Sequence, residues 1–575
     1  MTIENESPES YLEGLENDVS LLRWPLQRAQ EFSKAQVIYN KRGECDKAEQ
    51  MQWEINLLYQ VLPFKSRREK VGSRFNPWSE KLVIPDRGLD YFEKRVTETS
   101  NPIHRATYSD FLWEKGRSYK YAEIAINSYL ECADIYLRND WHIEMTDAMD
   151  RAIELSLKLN NPEKMENARE RVLQLLEILQ KEQKFRFCLE LSESLLEMKN
   201  KIHKDNYLKA MSILESAESY YRNSNNFNFA RSFLEILVKY ATLLERTELA
   251  DKYRRQIADL FVTEGDQRIE ESGLLAAHFY EKAVEAFRSL GEKEKEEELL
   301  VKLKTANIKA VAEMKVIKVS IKVPSGEIEK LIEPFTSLDL KEALKRIATS
   351  QGLIPSYANA RKLAEKIRDK YPVSFVFPRT HIRQANPIAR SVDETAILDD
   401  HVTQYFSQEY QLKMDLLLSR ILDRLEQKGL DSSRLIEYLS SSKLYATMDL
   451  SIVKIGFERY FSQDYVSAIH ILTPQLENVL RHLLEELGQP TSKVKEDIII
   501  EQPLDDILRN QRVKEFLGED IFYYFKTFLT DHRAENLRHE VAHGLIDARS
   551  CTKRNAVTLI HQILILTGFQ AKPVT

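Results

Sequence analysis

From about Tyr119 onward the sequence is a train of short amphipathic segments, one every twenty residues or so, each closed by a polar break. The segments cover 128–139, 147–160, 166–182, 187–200, 208–223, 230–246, 248–264 and 275–291. Apolar residues recur in them at i, i+3, i+4 and i+7, as in Phe233, Ile236, Leu237 and Tyr240. Breaks such as Asn160-Asn161-Pro162 and Asn223-Ser224-Asn225-Asn226 are too short to carry the chain far. A helix with one apolar stripe must bury it against a neighbour, and here the nearest neighbour is the next helix in the chain. The spacing therefore predicts an α-solenoid, with an irregular helical bundle as the alternative.

The composition agrees with long solvated helices. In 575 residues there are only 16 Gly and 17 Pro, while 30% of residues are charged, which is poor in turn formers for a sandwich or barrel. The repeats resemble tetratricopeptide repeats without their full signature. Ala277-His278-Phe279-Tyr280, followed by Ala283, Ala286 and Phe287, is the nearest match. The expected fold is mainly α: solenoid-like repeats, a short β-containing connector and a C-terminal helical bundle. The divisions fall at 1–110 (helical, then an irregular stretch with Pro63, Gly72, Pro77, Pro85, Gly88 and Pro102), 111–312 (repeats), 313–395 (connector) and 396–575 (helical). Within the connector Val319, Ile321 and Val323 alternate with Lys318, Ser320 and Lys322 and end at Pro324-Ser325-Gly326, which predicts a strand or small hairpin. The stretch 371–387, with Pro378 inside it, reads as loop.

Several function classes are disfavoured. A formal charge of −7 argues against a protein that coats nucleic acid through its bulk field, though not against a local pocket that grips a short segment. Cys45, Cys132, Cys188 and Cys551 are scattered, with no C-x-x-C spacing for a zinc site or a disulfide framework. The acidic start is no secretory signal, and the apolar run 559–566 is too short to span a bilayer. A cytoplasmic location without membrane attachment is expected.

The C-terminal 130 or so residues carry the chemistry. A helix is expected over 467–487, with Ile469, Leu472, Leu476, Val479, Leu480, Leu483 and Leu484 on its apolar stripe, Glu477 and Arg481 off it, and Pro474 at a kink or first turn. Further helices follow at 521–530 and 552–567. Between them runs DHRAENLRHEVAHG, from Asp531 to Gly544. His539-Glu540-Val541-Ala542-His543 matches H-E-x-x-H, two histidines one turn apart that could bind zinc with Glu540 as base. A third ligand is missing: position 546 is Ile and 549 is Arg, no Glu follows Glu540, and only Asp547 and His561 remain as substitutes.

Arg538 and His543, with four residues between them and Gly544 after, give a second reading. They resemble the HEPN superfamily, whose ribonucleases carry an Arg, usually a polar residue, a few variable positions and a His. They are also similar to a family ending in Leu-Arg-Asn-x-x-x-His-Gly with an upstream helix His-x-Leu-x-Pro-Gln-x-Glu-x-x-x-Arg. That helix is matched by His470, Leu472, Pro474, Gln475, Glu477 and Arg481. The resemblance covers about 440–570, and His539 stands where that family often has Asn.

The resemblance implies a metal-independent endoribonuclease that needs no cofactor. His543 would transfer protons and Arg538 would stabilise the phosphorane charge, with two copies of the motif meeting across a homodimer axis. It also implies the setting of a toxin-like or anti-phage effector, with RNA as substrate and a protein partner or trigger on the repeats. His539, Glu540, Asn536, Glu477 and Arg481 are supporting candidates. Against each stands a plainer role: a core histidine at 543, a surface arginine at 538, a solvated helix position at Glu540, an exposed ion pair for Glu477 and Arg481, and a helix cap at Asn536. A zinc metallopeptidase through His539 and His543, and a non-catalytic adaptor with an inactive HEPN dimerisation domain, are the alternatives.

Overall fold

A computed structural model of the chain describes residues 8–17, 23–62, 65–198, 204–315, 323–377, 379–383, 386–391, 393–495 and 498–568. The chain divides into two compact units, Met1–Glu313 and Met314–Thr575.

In the first unit the eight repeat segments are helices: Tyr119–Arg138, His142–Leu159, Pro162–Lys181, Phe185–Glu197, Lys204–Asn223, Phe227–Leu243, Thr247–Arg268 and Gly273–Ser289, followed by Lys293–Glu313. Their ends share one device. The N–H groups of Trp141, Asn161, Lys184, Asn226 and Arg246 reach back five residues to the carbonyls of Tyr136, Ser156, Leu179, Tyr221 and Ala241. This requires a left-handed residue one position earlier, and Asp140, Asn160, Gln183, Asn225 and Glu245 all take φ between 49° and 58°. The polar breaks are thus repeated helix stops, each returning the chain onto the helix just finished. Ser118, Asn161, Asn226 and Ser272 cap the following helices with their side chains.

Packing follows sequence order, and the core is one elongated cluster from Ile103 to Leu260 with three smaller clusters beside it. No break falls at residue 110, because Ile103 and Ala106 pack in the same cluster as Ala125, Ile126 and Met149. Within the irregular stretch, Lys65–Val71 forms a short helix and Val61 bridges Phe75.

The second unit departs from the expected connector. Residues 316–322, which hold most of the alternating stretch, lie outside the described residues. Pro324-Ser325-Gly326 is not a turn after a strand: it opens the helix Ser325–Thr336, whose Ile328, Ile332 and Phe335 form a buried stripe. Leu340–Thr349 and Tyr357–Lys370 follow. The stretch read as loop contains an antiparallel hairpin, Arg379–Arg383 with Asn386–Ser391, in which Pro387 pairs with Ile382 beside a bulge. Proline is tolerated there because both strands of a two-stranded sheet are edges.

These connector helices share one core with the C-terminal helices, from Ile332 to Leu566. At its centre lies Lys553–Thr567, buried without a break from Ala556 to Leu566. A second hairpin, Ser492–Lys495 with Ile498–Glu501, interrupts a region expected to be wholly helical. No helix among the described residues is long and apolar enough to cross a membrane.

Candidate functional site

The upstream wall is the helix Tyr465–Glu486, opened by Asp464, whose carboxylate accepts the Ser467 N–H at 3.1 Å. Pro474 is neither a first turn nor a stop. It sits inside the helix, exposed, where its missing N–H costs a bond to the carbonyl one turn back. Positions 470, 474, 477 and 481 fall on one stripe of this helix, opposite the apolar stripe that enters the core. Glu477 is nonetheless only 9% exposed, so it is no ordinary surface carboxylate.

The downstream wall is the short helix Leu537–Ala542. Asn536 stands at its N-cap, but not as a side-chain cap. Its backbone is left-handed at φ 49°, a conformation asparagine tolerates better than most residues, and its side-chain Nδ2 lies 3.1 Å from His532 Nδ1. The helix stops at Gly544, left-handed at φ 64°, while the Leu545 N–H reaches the Glu540 carbonyl at 2.8 Å. The glycine thus ends the helix immediately after His543 and leaves that imidazole exposed at its tip.

Between the walls Arg538 meets Glu477 at two points, Nε to Oε2 at 2.8 Å and Nη2 to Oε1 at 3.3 Å. Arg481 donates to the same Oε1 at 3.1 Å and to the Gln502 carbonyl at 3.2 Å. The expected i, i+4 pair is therefore one arm of a cluster in which two guanidinium groups share the Glu477 carboxylate, while Glu501, 3.4 Å from Arg481 Nε, balances the second cation. His539 and His543 lie with ring centroids 4.3 Å apart, and His532 meets His539 edge-on at 5.7 Å. Burial, then the neighbouring His543 and His532, pull His539 below the usual imidazole range.

Glu540 corrects the sequence reading. It is only 9% exposed rather than solvated, and it lines a cleft of about 490 Å³ together with Glu535, Asp547, Ser550 and Arg554. His532 was missed. It lies in plain view in the string, but only the left-handed turn at Asn536 brings it back onto His539. His561, a suggested substitute zinc ligand, is fully buried in the central helix. Among the described residues no three His, Cys, Asp or Glu side chains come together so that they could hold a metal ion.

A family described as "Domain of unknown function (DUF7380)" matches residues 43–168, in the first unit, and the match does not reach the segment that carries Arg538 and His543. No curated protein matches the chain.

Proposed function

We propose that this protein is a metal-independent endoribonuclease whose site is built on Arg538 and His543. The observation that supports it best is the Arg538–Glu477 pair. It joins a residue of the upstream motif to one of the downstream motif, the two pieces on which the HEPN resemblance rests. His543 takes or gives the proton, its exposed imidazole being open to substrate. The 2′-oxygen attacks the adjacent phosphorus and the 5′-oxygen leaves, so the substrate must be RNA rather than DNA. Arg538, held in orientation by Glu477, presents its remaining N–H groups to the developing charge.

One imidazole cannot serve as base and acid in the same step, so a second copy of the chain supplies the partner His543 across a homodimer axis. We place the enzyme in the cytoplasm, with the repeats receiving a protein partner or trigger, in the manner of a toxin-like or anti-phage effector.

The deciding experiment is cleavage of labelled RNA by the purified protein, by Arg538→Ala and by His543→Ala, each with and without EDTA. Cleavage that survives EDTA and disappears in both variants is expected. Full cleavage by either folded variant overturns the assignment.

A further inference from the structure

The first unit holds a second polar site, in a cavity where the helices Pro25–Arg42, Pro102–Glu114, Tyr119–Arg138 and His142–Leu159 converge with the loop that carries Arg74. Five charged side chains line it: Arg23, Arg28, Arg74, Glu144 and Asp147. Two cations are compensated. Arg23 donates to Glu144 at 3.0 Å, and Arg74 to Asp147 at 3.2 Å.

Arg28 is not compensated. It is only 5% exposed, and its Nε and Nη1 have no hydrogen-bond partner among the described residues. The ionisable groups that act on it most strongly are Tyr136, Tyr108 and Cys132, none of which carries a negative charge at neutral pH. Glu54, the carboxylate whose field also reaches it, takes the hydroxyls of Tyr91 and Tyr108, at 2.9 and 3.0 Å, and Arg95 through Oε1, while its Oε2 has no hydrogen-bond partner among the described residues. Arg74 adds a third orphaned donor, its Nη1.

A guanidinium taken out of water without an anion is among the costliest groups a fold can bury, and methionine or leucine would fill the same volume without that cost. Three unsatisfied guanidinium N–H groups beside one cavity are the complement of an oxyanion with several acceptor oxygens, and the one orphaned acceptor in the same lining, Glu144 Oε2, can take the hydroxyl of a protonated phosphate. The cavity has about 50 Å³ open to water-sized centres, several times what one water needs, so it admits a small oxyanion but not a whole nucleotide. Trp24, 41% exposed, lies at its wall.

We propose that this cavity binds a phosphate group, free or as the terminal phosphoryl of a larger molecule, between Arg28 and Arg74. The phosphate supplies acceptors to the orphaned donors of Arg28 and Arg74, and it occupies a place distinct in the chain from the Arg538 site.

The test uses the full chain. Equilibrium dialysis with radiolabelled inorganic phosphate is run at constant ionic strength in chloride, with adenosine monophosphate in a parallel arm. Thermal unfolding is followed in the same solutions. One phosphate or one nucleotide per chain, with a saturable rise of the unfolding midpoint, is expected, and which arm responds tells free phosphate from a phosphoryl end. Arg28→Met, which keeps the volume and removes the charge, should lose that binding at least tenfold. Arg74→Gln serves as the second variant if the first fails to fold. Absence of saturable binding in both arms, or equal binding by a folded Arg28→Met protein, overturns the proposal, whatever happens to RNA cleavage.

Discussion

Arg538 and Glu477, sixty-one residues apart, share a two-point ion pair in which Nε meets Oε2 at 2.8 Å and Nη2 meets Oε1 at 3.3 Å. A planar guanidinium on a planar carboxylate has little freedom to turn, so Glu477 fixes the direction in which the rest of Arg538 points. Glu477 is largely buried, and Arg481 holds it from the other side.

Replacing Glu477 by Gln should therefore reduce RNA cleavage by about ten- to a hundredfold while the fold is retained, because an amide cannot accept both bonds and sets an NH2 against a guanidinium. Arg538→Lys should fail similarly, since an ammonium cannot make the two-point contact. Single-turnover rates on labelled RNA, with a melting curve for each variant, decide it. An unchanged rate in a folded Glu477→Gln protein would remove Glu477 from any positioning role.

The two histidines should separate cleanly. If the chemistry were zinc hydrolysis, His539 and His543 would be equally indispensable. In the ribonuclease reading His543 moves the proton while His539 is one polar position among several, so His539→Asn should retain most of the cleavage rate. His543→Ala should cost a hundredfold or more, the order of magnitude for general acid–base catalysis. Equal loss in both variants, together with stoichiometric zinc by elemental analysis, would revive the peptidase.

Much of the scaffold can be read directly from the pattern. The eight repeat helices follow from a 3.6-residue apolar period and from breaks rich in Asn and Asp, and the left-handed stops at Asn160 and Asn225 are the physical content of those breaks. Two regions were not legible. The hairpin over Arg379–Ser391 carries two prolines' worth of loop signal around it, and its pairing depends on a bulge that no period announces. The connector helices look weak alone because their stripes are short, and what holds them is burial in a core supplied by residues far along the chain, such as Leu564. At the site, the His543-Gly544 end was visible as a motif, whereas the return of His532 onto His539 required the conformation of Asn536. The resemblance put Glu477 and Arg538 among the candidates without pairing them, since no local rule links positions so far apart.

One helix crossing at the end of the repeats depends on a missing side chain. A Cβ on Gly273 would stand 2.4 Å from the Ala310 nitrogen and 2.7 Å from the Ala306 carbonyl, both backbone atoms that cannot swing away. Gly273→Ala should therefore push the helices Gly273–Ser289 and Lys293–Glu313 apart and destabilise the first unit by about 1–3 kcal/mol. Gly326→Ala, where the added methyl meets nothing within 4 Å, should be neutral or slightly stabilising. Urea unfolding of the two variants provides the check, and equal midpoints would mean that the crossing relaxes at no cost.

The buried imidazole of His561 gives the second unit a built-in acid sensitivity. It lies in the central helix with its Nδ1 3.1 Å from the Tyr524 hydroxyl, and burial pushes it down to about 4. The unfolded chain binds this proton near 6.5 and the folded one only near 4, so the unfolded state gains protons first as the pH falls. The stability that His561 supplies is thus complete above about pH 6.5, declines below it and is gone below about pH 4, a loss of about 2 kcal/mol by pH 5 and about 3 kcal/mol in all. The carboxylates titrate in part of the same window, so the quantity to measure is a difference: urea midpoints at pH 7 and pH 5 for the wild type and for His561→Gln, which does not titrate. The wild type should lose about 2 kcal/mol more than the variant over that interval. Parallel losses would mean that the folded protein accommodates the charged imidazole, through water or a shift of the central helix, and that acid acts on this unit elsewhere.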